Sequence, residues 1–226
     1  MGVEASMLAS CMALPREGYL QQLYHVFAYL KNKHNAQLLF DPTHPHIDLD
    51  QYELDQNWEK VYGDVSEDVP KNAPEALGKE FIMRAYVNAD HVGDKLTRRS
   101  RTGYIVFLNM TPIYWHSKKQ VLIETSMFGS EFIAMKQCCE FVRGLRYKLR
   151  MMGISLNKPT FIRGDNKSVL SNTMIPTYSV LSKKFNLIAY HAVQEGVAKG
   201  KWVTGYIKSD VNPSNLLTKS LPAGMT

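Results

Sequence analysis

A long helical pattern is the feature that most constrains how this chain can fold. Residues 126–152 form the longest run of helical periodicity in the sequence, and Gly153 ends it. Short apolar segments before and after it have the length and composition of strands, so the helix can pack on a sheet. These predicted strands are Phe81–Val87, Gly103–Leu108, Pro112–Trp115, Pro159–Arg163 and Lys201–Ile207.

Shorter helical patterns complete the sequence from residue 81 onwards. They cover residues 167–173, 183–198 and 212–217, the last with Pro213 in its first turn. The order of three strands, a helix, a strand, two helices, a strand and a short helix predicts an α/β fold. Its core is a mixed five-stranded sheet with flanking helices.

The front of the chain has a different character. Residues 16–34 form an amphipathic helical pattern, so residues 1–42 are predicted to be a small helical segment. Residues 43–79 hold three prolines and no clear periodicity, which predicts a linker. The main domain then covers residues 80–226.

Charge is distributed unevenly along the chain. Residues 41–80 contain 11 Asp and Glu against 3 Lys and Arg, whereas residues 81–226 contain 21 Lys and Arg against 8 Asp and Glu. The linker is therefore acidic, and the main domain carries a field that favours a polyanion such as nucleic acid.

Several function classes lack their sequence signals. There is no GxSxG elbow of an α/β-hydrolase and no GxGxxG after a strand. The three cysteines have no metal spacing or disulfide framework. No apolar run is long enough for a membrane span, so no membrane partner is expected.

Glu131 lies on the apolar stripe of the long helix, three residues after Phe128 and four before Met135. A carboxylate facing a core is costly unless a positive group meets it. It is therefore a candidate catalytic or metal-binding residue, and the alternative is that it reaches solvent at the edge of the stripe.

Asp165 and Asp90 are the other candidates. Asp165 closely follows an apolar strand, where ligands collect in open α/β sheets. It could also cap the next helix, and both roles can hold at once. Asn88-Ala89-Asp90 follows the first strand and could form a metal site or a turn. A helix Glu with strand-end Asp residues suits a hard cation such as Mg²⁺.

Seven segments of the main domain form a characteristic series. They are AYVNADHVGD (85–94), TRRSRTGYIVFLN (97–109), IYWHSKKQ (113–120), GSEFIAMKQCCE (129–140), GDNKSVL (164–170), AYHAVQEGVAKG (189–200) and NPSNLLTKSLP (212–222). In this order they make residues 81–226 resemble the ribonuclease H region of copia-type retrotransposon Pol polyproteins. Residues 8–40 resemble the tail of the reverse transcriptase that precedes it, although the paired-aspartate motif of a polymerase is absent.

The resemblance implies a ribonuclease H-like fold in which four carboxylates hold two Mg²⁺ ions that cut the RNA strand of an RNA–DNA hybrid. The family Glu corresponds to Glu131 and its middle Asp to Asp165. Its first and last Asp correspond to Asn88 and Asn215, so two charges are missing. Asp90, two residues beyond Asn88 on the same strand face, could partly replace one. We expect weak metal binding and little cleavage.

Basic and polar residues near this site are candidate contacts for a nucleic acid. Arg98, Arg99 and Arg101 lie between the first two predicted strands, and Lys118 and Lys119 follow the third. Asn166 and Lys167 adjoin Asp165 and could reach the sugar or phosphate of an RNA strand. The alternative is that the charges are a solvated loop surface.

Three functions remain open at this level. The first is an impaired ribonuclease H-type endonuclease, and the others are a non-catalytic nucleic-acid-binding module and an inert retrotransposon remnant. The expected partners are an RNA–DNA hybrid or other nucleic acid and the rest of the Pol polyprotein. The resemblance implies the cytoplasm, a virus-like particle or the nucleus as the location.

Overall fold

A five-stranded mixed sheet organises the protein. The computed structural model describes residues 2–52, 56–176 and 187–219. Within them the strands lie side by side in the order β3-β2-β1-β4-β5. Their bounds are Met83–Asp90 (β1), Arg101–Leu108 (β2), Thr111–Lys119 (β3), Thr160–Gly164 (β4) and Trp202–Tyr206 (β5).

Strand directions place three carboxyl ends at one edge of the sheet. β1 pairs antiparallel with β2, and β2 with β3, as two successive hairpin partners. β1 pairs parallel with β4, and β4 with β5. The carboxyl ends of β1, β4 and β5 therefore share an edge, as ligand sites in α/β sheets require. The predicted mixed five-stranded sheet is confirmed.

Helices cover the sheet on both faces. α4, α5 and α6 pack together on one face, whereas α1 and the 3₁₀ helix Pro213–Leu217 contact the opposite side of β1, β2 and β3. The helices are Gly2–Ala9 (α1), Glu17–Asn32 (α2), Glu59–Tyr62 (α3), Met127–Met151 (α4), Lys167–Met174 (α5) and Leu187–Ala198 (α6), with further 3₁₀ helices at Leu49–Gln51 and Ser209–Val211. Residues 183–186 of the predicted helix 183–198 lie outside the described residues.

The core lies between α4 and the sheet. Cys138 and Val142 of α4, Val106 of β2 and Ile162 of β4 are all fully buried. Cys139 is buried beside them, and burial raises the pKa of both thiols. Both cysteines are therefore part of the core.

Three strands are longer than the sequence pattern predicts. β1 continues through Asn88 to Asp90, β2 already begins at Arg101, and β3 continues to Lys119. Asp90 pairs with Arg101, which in turn pairs with Lys119, so one charged row closes this end of the sheet. The apolar alternation of the sequence stops before this row, whereas the backbone pairing of the strands continues through it.

The turn between β2 and β3 depends on Asn109. This residue is buried and has a positive φ of 53°, a conformation that asparagine tolerates well. Its side-chain oxygen accepts a hydrogen bond from the Ile82 N–H (2.8 Å), and its amide nitrogen donates to the Pro42 carbonyl (2.8 Å). The turn therefore also attaches the front of the chain to the sheet.

The predicted linker 43–79 packs along the main domain. Tyr52 is buried, forms an antiparallel bridge to Gly205 and accepts a hydrogen bond from Arg163 Nε (2.7 Å). Glu67 accepts hydrogen bonds from Arg146 (2.9 and 2.7 Å) and Arg150 (2.7 Å) on α4. Burial opposes ionisation of Glu67, but these hydrogen bonds outweigh it and hold its pKa below the usual value.

The front helices differ in how they pack. α1 contacts β3 and buries Val3, whereas no residue of α2 is buried. The predicted apolar stripe of α2 is instead exposed, at Leu20, Leu23, Tyr24, Phe27 and Leu30. Within the described residues, no helix has the length and apolar character that a membrane crossing needs.

We expect Glu67→Ala to lower the free energy of unfolding by about 3 kcal/mol, because it leaves the Arg146 guanidinium buried without its carboxylate. Urea denaturation measures this change. Glu75→Ala, at an exposed position of the same segment, is the control and is expected to change stability little. Equal stability of the two variants would contradict the role given to Glu67.

Candidate active site

Asp165 lies at the edge where β1 and β4 end. It follows β4 directly and precedes α5, whose N-cap is Asn166. The Asn166 side chain accepts the capping hydrogen bond from the Val169 N–H (3.2 Å). The capping role that the sequence allowed for Asp165 thus belongs to Asn166, and the Asp165 carboxylate is available for another role.

Glu131 reaches the same edge from α4. Ser126 caps this helix by accepting a hydrogen bond from the Gly129 N–H (3.1 Å), which fixes where its first turns lie. Glu131 Oε2 accepts a hydrogen bond from the Ala89 N–H of β1 (3.0 Å). The side chain therefore turns towards the sheet, against the alternative that it reaches solvent.

Glu131 and Asp165 line one small cavity. Its volume is about 10 Å³, the space of a single water molecule. Apolar side chains form most of the remaining wall: Val87, Met135, Val169 and Leu170. The structure thus brings together the two carboxylates that the sequence singled out.

The cavity favours the neutral form of Glu131. Burial in these apolar surroundings, together with the nearby Asp165 charge, raises the pKa of Glu131 to about 8. The hydrogen bond from Ala89 and the charge of Lys219 oppose this shift only in part. At neutral pH the Glu131 carboxyl is therefore mostly protonated.

Two amides face each other where the resemblance implies two aspartates. Asn88 is buried on β1, and its Nδ2 donates hydrogen bonds to Asn215 Oδ1 (2.5 Å) and Thr218 Oγ1 (2.8 Å). Asn215 Nδ2 in turn donates to the Ser209 carbonyl. This amide pair satisfies itself by hydrogen bonding, whereas two carboxylates in its place would need a cation between them.

Asp90 lies beyond Asn88 on β1 and is half-buried. Its carboxyl packs so closely on Gly93 that a Cβ there would lie 1.7 Å from Asp90 Oδ2. Burial raises the pKa of Asp90, and the charges of Lys219, Arg101 and His91 counteract the shift. Asp90 thus lies near the cations Lys219 and Arg101, of which only Arg101 belongs to the charged row.

The available ligands do not fit a two-ion centre. In the part of the chain that the structure describes, no three His, Cys, Asp or Glu side chains come together in a way that could hold a metal ion. Glu131 and Asp165 offer two carboxylates, one of them mostly protonated at neutral pH, and the Asn215 oxygen already accepts a hydrogen bond. Two Mg²⁺ ions would need more negative charge than this site provides.

The predicted nucleic-acid contacts divide into exposed and paired residues. Arg98 and Lys118 are exposed, and Arg99 is half-buried in the loop 91–100. Arg101, predicted in that loop, is instead a buried β2 residue that donates a hydrogen bond to Ser6 Oγ. Burial also lowers the pKa of Arg101.

Lys118 and Lys119 likewise belong to β3 and do not follow it. Lys119 is paired with Asp94 (2.8 Å), and this hydrogen bond holds the pKa of Asp94 well below its usual value. Lys167 is exposed, with its Nζ 4.9 Å from the centre of the Tyr206 ring. Arg98, Lys118 and Lys167 are thus the predicted cations best placed to meet a phosphate.

Sequence reasoning missed two groups at the site. Thr218 accepts a hydrogen bond from Asn88, and its position three residues after Asn215 in a helical pattern could have indicated it. The Ala89 N–H is a backbone donor, and no side-chain pattern could reveal it.

The fold and site together define a mixed-sheet α/β domain with a carboxylate pair at the carboxyl ends of β1 and β4. No family model matches the chain. Its sequence is similar to retrovirus-related Pol polyproteins of plant transposons. These are TNT 1-94 of Nicotiana tabacum (28% identity over 145 residues) and RE1 and RE2 of Arabidopsis thaliana (29% and 28% over 144 residues).

These matches cover 64% of the chain and confirm its resemblance to a retrotransposon Pol polyprotein. The chain spans about a tenth of the length of the curated relatives, 11% of TNT 1-94 and 10% each of RE1 and RE2. Only one part of such a polyprotein is therefore represented.

Solved structures with some likeness include two determined with an RNA/DNA hybrid. One is LC11-RNase H1, with a TM-score of 0.47 and 14% identity over 60% of this chain and 93% of that chain. The other is the foamy viral protease-reverse transcriptase, with a TM-score of 0.42 and 12% identity over 95% of this chain and 27% of that chain.

We expect the unfolding free energy to fall by roughly 2–4 kcal/mol between pH 4.5 and 8 through Glu131. Its folded pKa of about 8 lies above the unfolded value, so within this window the native state keeps a proton that the unfolded state has released. Urea denaturation across this pH range, for wild type and Glu131→Gln, measures the effect. The variant should lose this part of the pH dependence, and identical profiles would contradict the assignment.

Proposed function

We propose that this chain is the ribonuclease H-like domain of a copia-type retrotransposon polyprotein, and that it binds RNA–DNA hybrids but hydrolyses the RNA strand poorly. The observation that carries the proposal is the hydrogen bond between Asn88 and Asn215 (2.5 Å), because Asn88 directly precedes Ala89, whose N–H donates to Glu131. The carboxylate pair at the carboxyl ends of β1 and β4 supports a hydrolytic site, and the two neutral amides support its impairment.

The electrostatics support impairment. Hydrolysis of a phosphodiester needs positive charge held close to the phosphate, which the related centres achieve with carboxylate-bound divalent cations. Here Asn88 and Asn215 are neutral, and a cation that binds Glu131 has to displace the proton that the raised pKa of this carboxyl retains at neutral pH. Affinity for Mg²⁺ is accordingly low, and the hydrolytic rate falls with it.

Residues of this chain can still orient a nucleic acid. Asp165 and Glu131 define the centre, and the exposed Arg98, Lys118 and Lys167 offer contacts to phosphates. Binding without cleavage is therefore the second candidate function, favoured by the same exposed cations. The exposed apolar stripe of α2 is compatible with a contact to the rest of the Pol polyprotein, the other partner that the resemblance implies.

We expect Asn88→Asp/Asn215→Asp to increase Mg²⁺-dependent cleavage of a labelled RNA–DNA hybrid at least tenfold, because it restores two negative charges beside Glu131 and Asp165. The matched control is Asn72→Asp/Asn157→Asp, which adds the same charge at two exposed positions. Adding Glu131→Gln to the first variant should abolish the gain. Wild-type cleavage equal to that of the double variant refutes the proposed impairment.

The same variant should depend on metal for stability. Without Mg²⁺, Asn88→Asp/Asn215→Asp replaces a hydrogen-bonded pair by two like charges, so its Tm should fall below that of the wild type. Adding Mg²⁺ should raise the Tm of the variant and leave that of the wild type nearly unchanged. Thermal unfolding followed by circular dichroism measures both, and a Tm of the variant that does not respond to Mg²⁺ would count against a metal site.

A further inference from the structure

α2 exposes apolar side chains on its outer side. Tyr19 and Val26 are the only partly buried residues of this helix, so they mark the inner side, which faces the rest of the chain. At about 100° per residue, Tyr24 lies about 150° around the helix from the line between these two residues. Large apolar side chains gathered in water indicate an interaction surface. We define the outer face of α2 as Leu20 (48% exposed), Tyr24 (63%), Phe27 (56%) and the exposed Ala28.

The spacing of the outer face suits a second helix. Leu20, Tyr24 and Phe27 follow one another at steps of four and three residues, the spacing by which one helix packs along another. Leu23 and Leu30, the remaining residues of the apolar stripe, lie closer to the inner side. The outer face is therefore the part of the stripe that a helix from outside can reach.

Opposite charges lie at the two ends of the outer face. Glu17 is in the first turn of α2 and Lys31 is in its last turn, and both are exposed. Each lies seven residues from Tyr24, so the three residues share one line along the helix. A copy of this helix that runs in the opposite direction brings its Lys31 to Glu17 and its Glu17 to Lys31. A copy that runs in the same direction would place like charges side by side.

The antiparallel arrangement is symmetric about Tyr24. Because Glu17 and Lys31 are equally far from Tyr24, a two-fold axis passes beside this residue, and the two Tyr24 rings meet at the centre. Leu20 then meets the small Ala28 of the second copy, which leaves room for it. The inner side of each helix carries the rest of its chain, so the two bodies lie on opposite sides of the helix pair.

We propose that the outer face of α2 is a homodimer interface, on which α2 of a second copy of this chain packs antiparallel. Few side chains take part, so the dimer is reversible, with a dissociation constant on the order of 10 μM. The proposal goes beyond the proposed function and does not depend on it, because α2 contains no residue of the candidate site. The dimer forms without nucleic acid and without a divalent cation.

Sedimentation velocity of the full chain between about 1 and 100 μM tests for the dimer. Tyr24→Ser/Phe27→Ser should raise the dissociation constant about tenfold or more, because it removes the aromatic centre of the outer face. The matched control, Leu122→Ser/Ile123→Ser, removes two similarly exposed side chains outside α2 and should dimerise as the wild type does.

Two results of this experiment would overturn the proposal. One is equal dissociation constants of the outer-face variant and its control, with both shown to be folded by circular dichroism. The other is a wild type that stays monomeric at about 100 μM, which is expected if another segment of a Pol polyprotein covers this face.

Charge reversal tests the direction of the helices. Glu17→Lys and Lys31→Glu should each weaken the dimer about fivefold, because each change puts like charges at both symmetric ends of the interface. The combination Glu17→Lys/Lys31→Glu restores opposite charges across the interface and should recover most of the wild-type affinity. A combined variant as weak as the single ones contradicts antiparallel pairing.

Disulfide trapping locates the symmetry axis. Tyr24→Cys in a Cys11→Ser background places one thiol of each copy beside the axis, so oxidation with diamide should give covalent dimers. Gln22→Cys in the same background, at an exposed position far around the helix from Tyr24, should give few. Cys138 and Cys139 are buried and contribute little to cross-linking. Equal yields from the two variants would overturn the proposed interface.

Discussion

The parallel pairing of β1 with β4 decides where every group of the candidate site lies. Tyr86 pairs with Arg163. Asn88 and Asp165 each lie two residues further along the chain, so both reach the same level of the sheet. α4 then needs only its first two turns to bring Glu131 to the Ala89 N–H. Without that register, a helix carboxylate and a strand-end carboxylate could not share one cavity.

Charge at this edge is balanced without a cation. Asn88, Asn215 and Thr218 form a neutral hydrogen-bonded network, and Glu131 avoids repulsion from Asp165 by keeping its proton at neutral pH. Each carboxylate that is replaced or protonated lowers the affinity for a divalent ion and removes the repulsion that such an ion would relieve. The site is thus internally consistent as a folded structure without a bound cation.

Local patterns predicted the elements and the two carboxylates well. Helical periodicity predicted α4 with Glu131 on its inner face. An apolar strand followed by a turn predicted Asp165 at the end of a strand. The strand ends were not predictable in this way, because Asp90, Arg101 and Lys119 pair across the sheet although none of them is apolar.

Sequence patterns also could not predict contacts between residues that are far apart in the chain. Asn88 and Asn215 are 127 residues apart, and Glu67 and Arg146 are 79 apart. Motif matching identified the first pair as replacements for aspartates, but their mutual hydrogen bond depends on the tertiary fold. Nothing in the composition of the segment 43–79 indicated that one of its acids would meet a buried arginine.

That buried arginine has a practical consequence for how the protein can be divided. A fragment that starts at residue 80, where strand patterning begins, would lack both Glu67 and Tyr52. The guanidinium of Arg146 would then keep the Lys158 carbonyl (3.0 Å), the Thr160 hydroxyl (3.2 Å) and the Leu156 carbonyl (3.5 Å), all of them neutral, and the backbone of Gly205 would lose its contact with Tyr52. A unit that keeps these contacts therefore begins upstream of the apparent domain, because an acidic stretch that looks like a spacer supplies counter-charge to the helix at its centre.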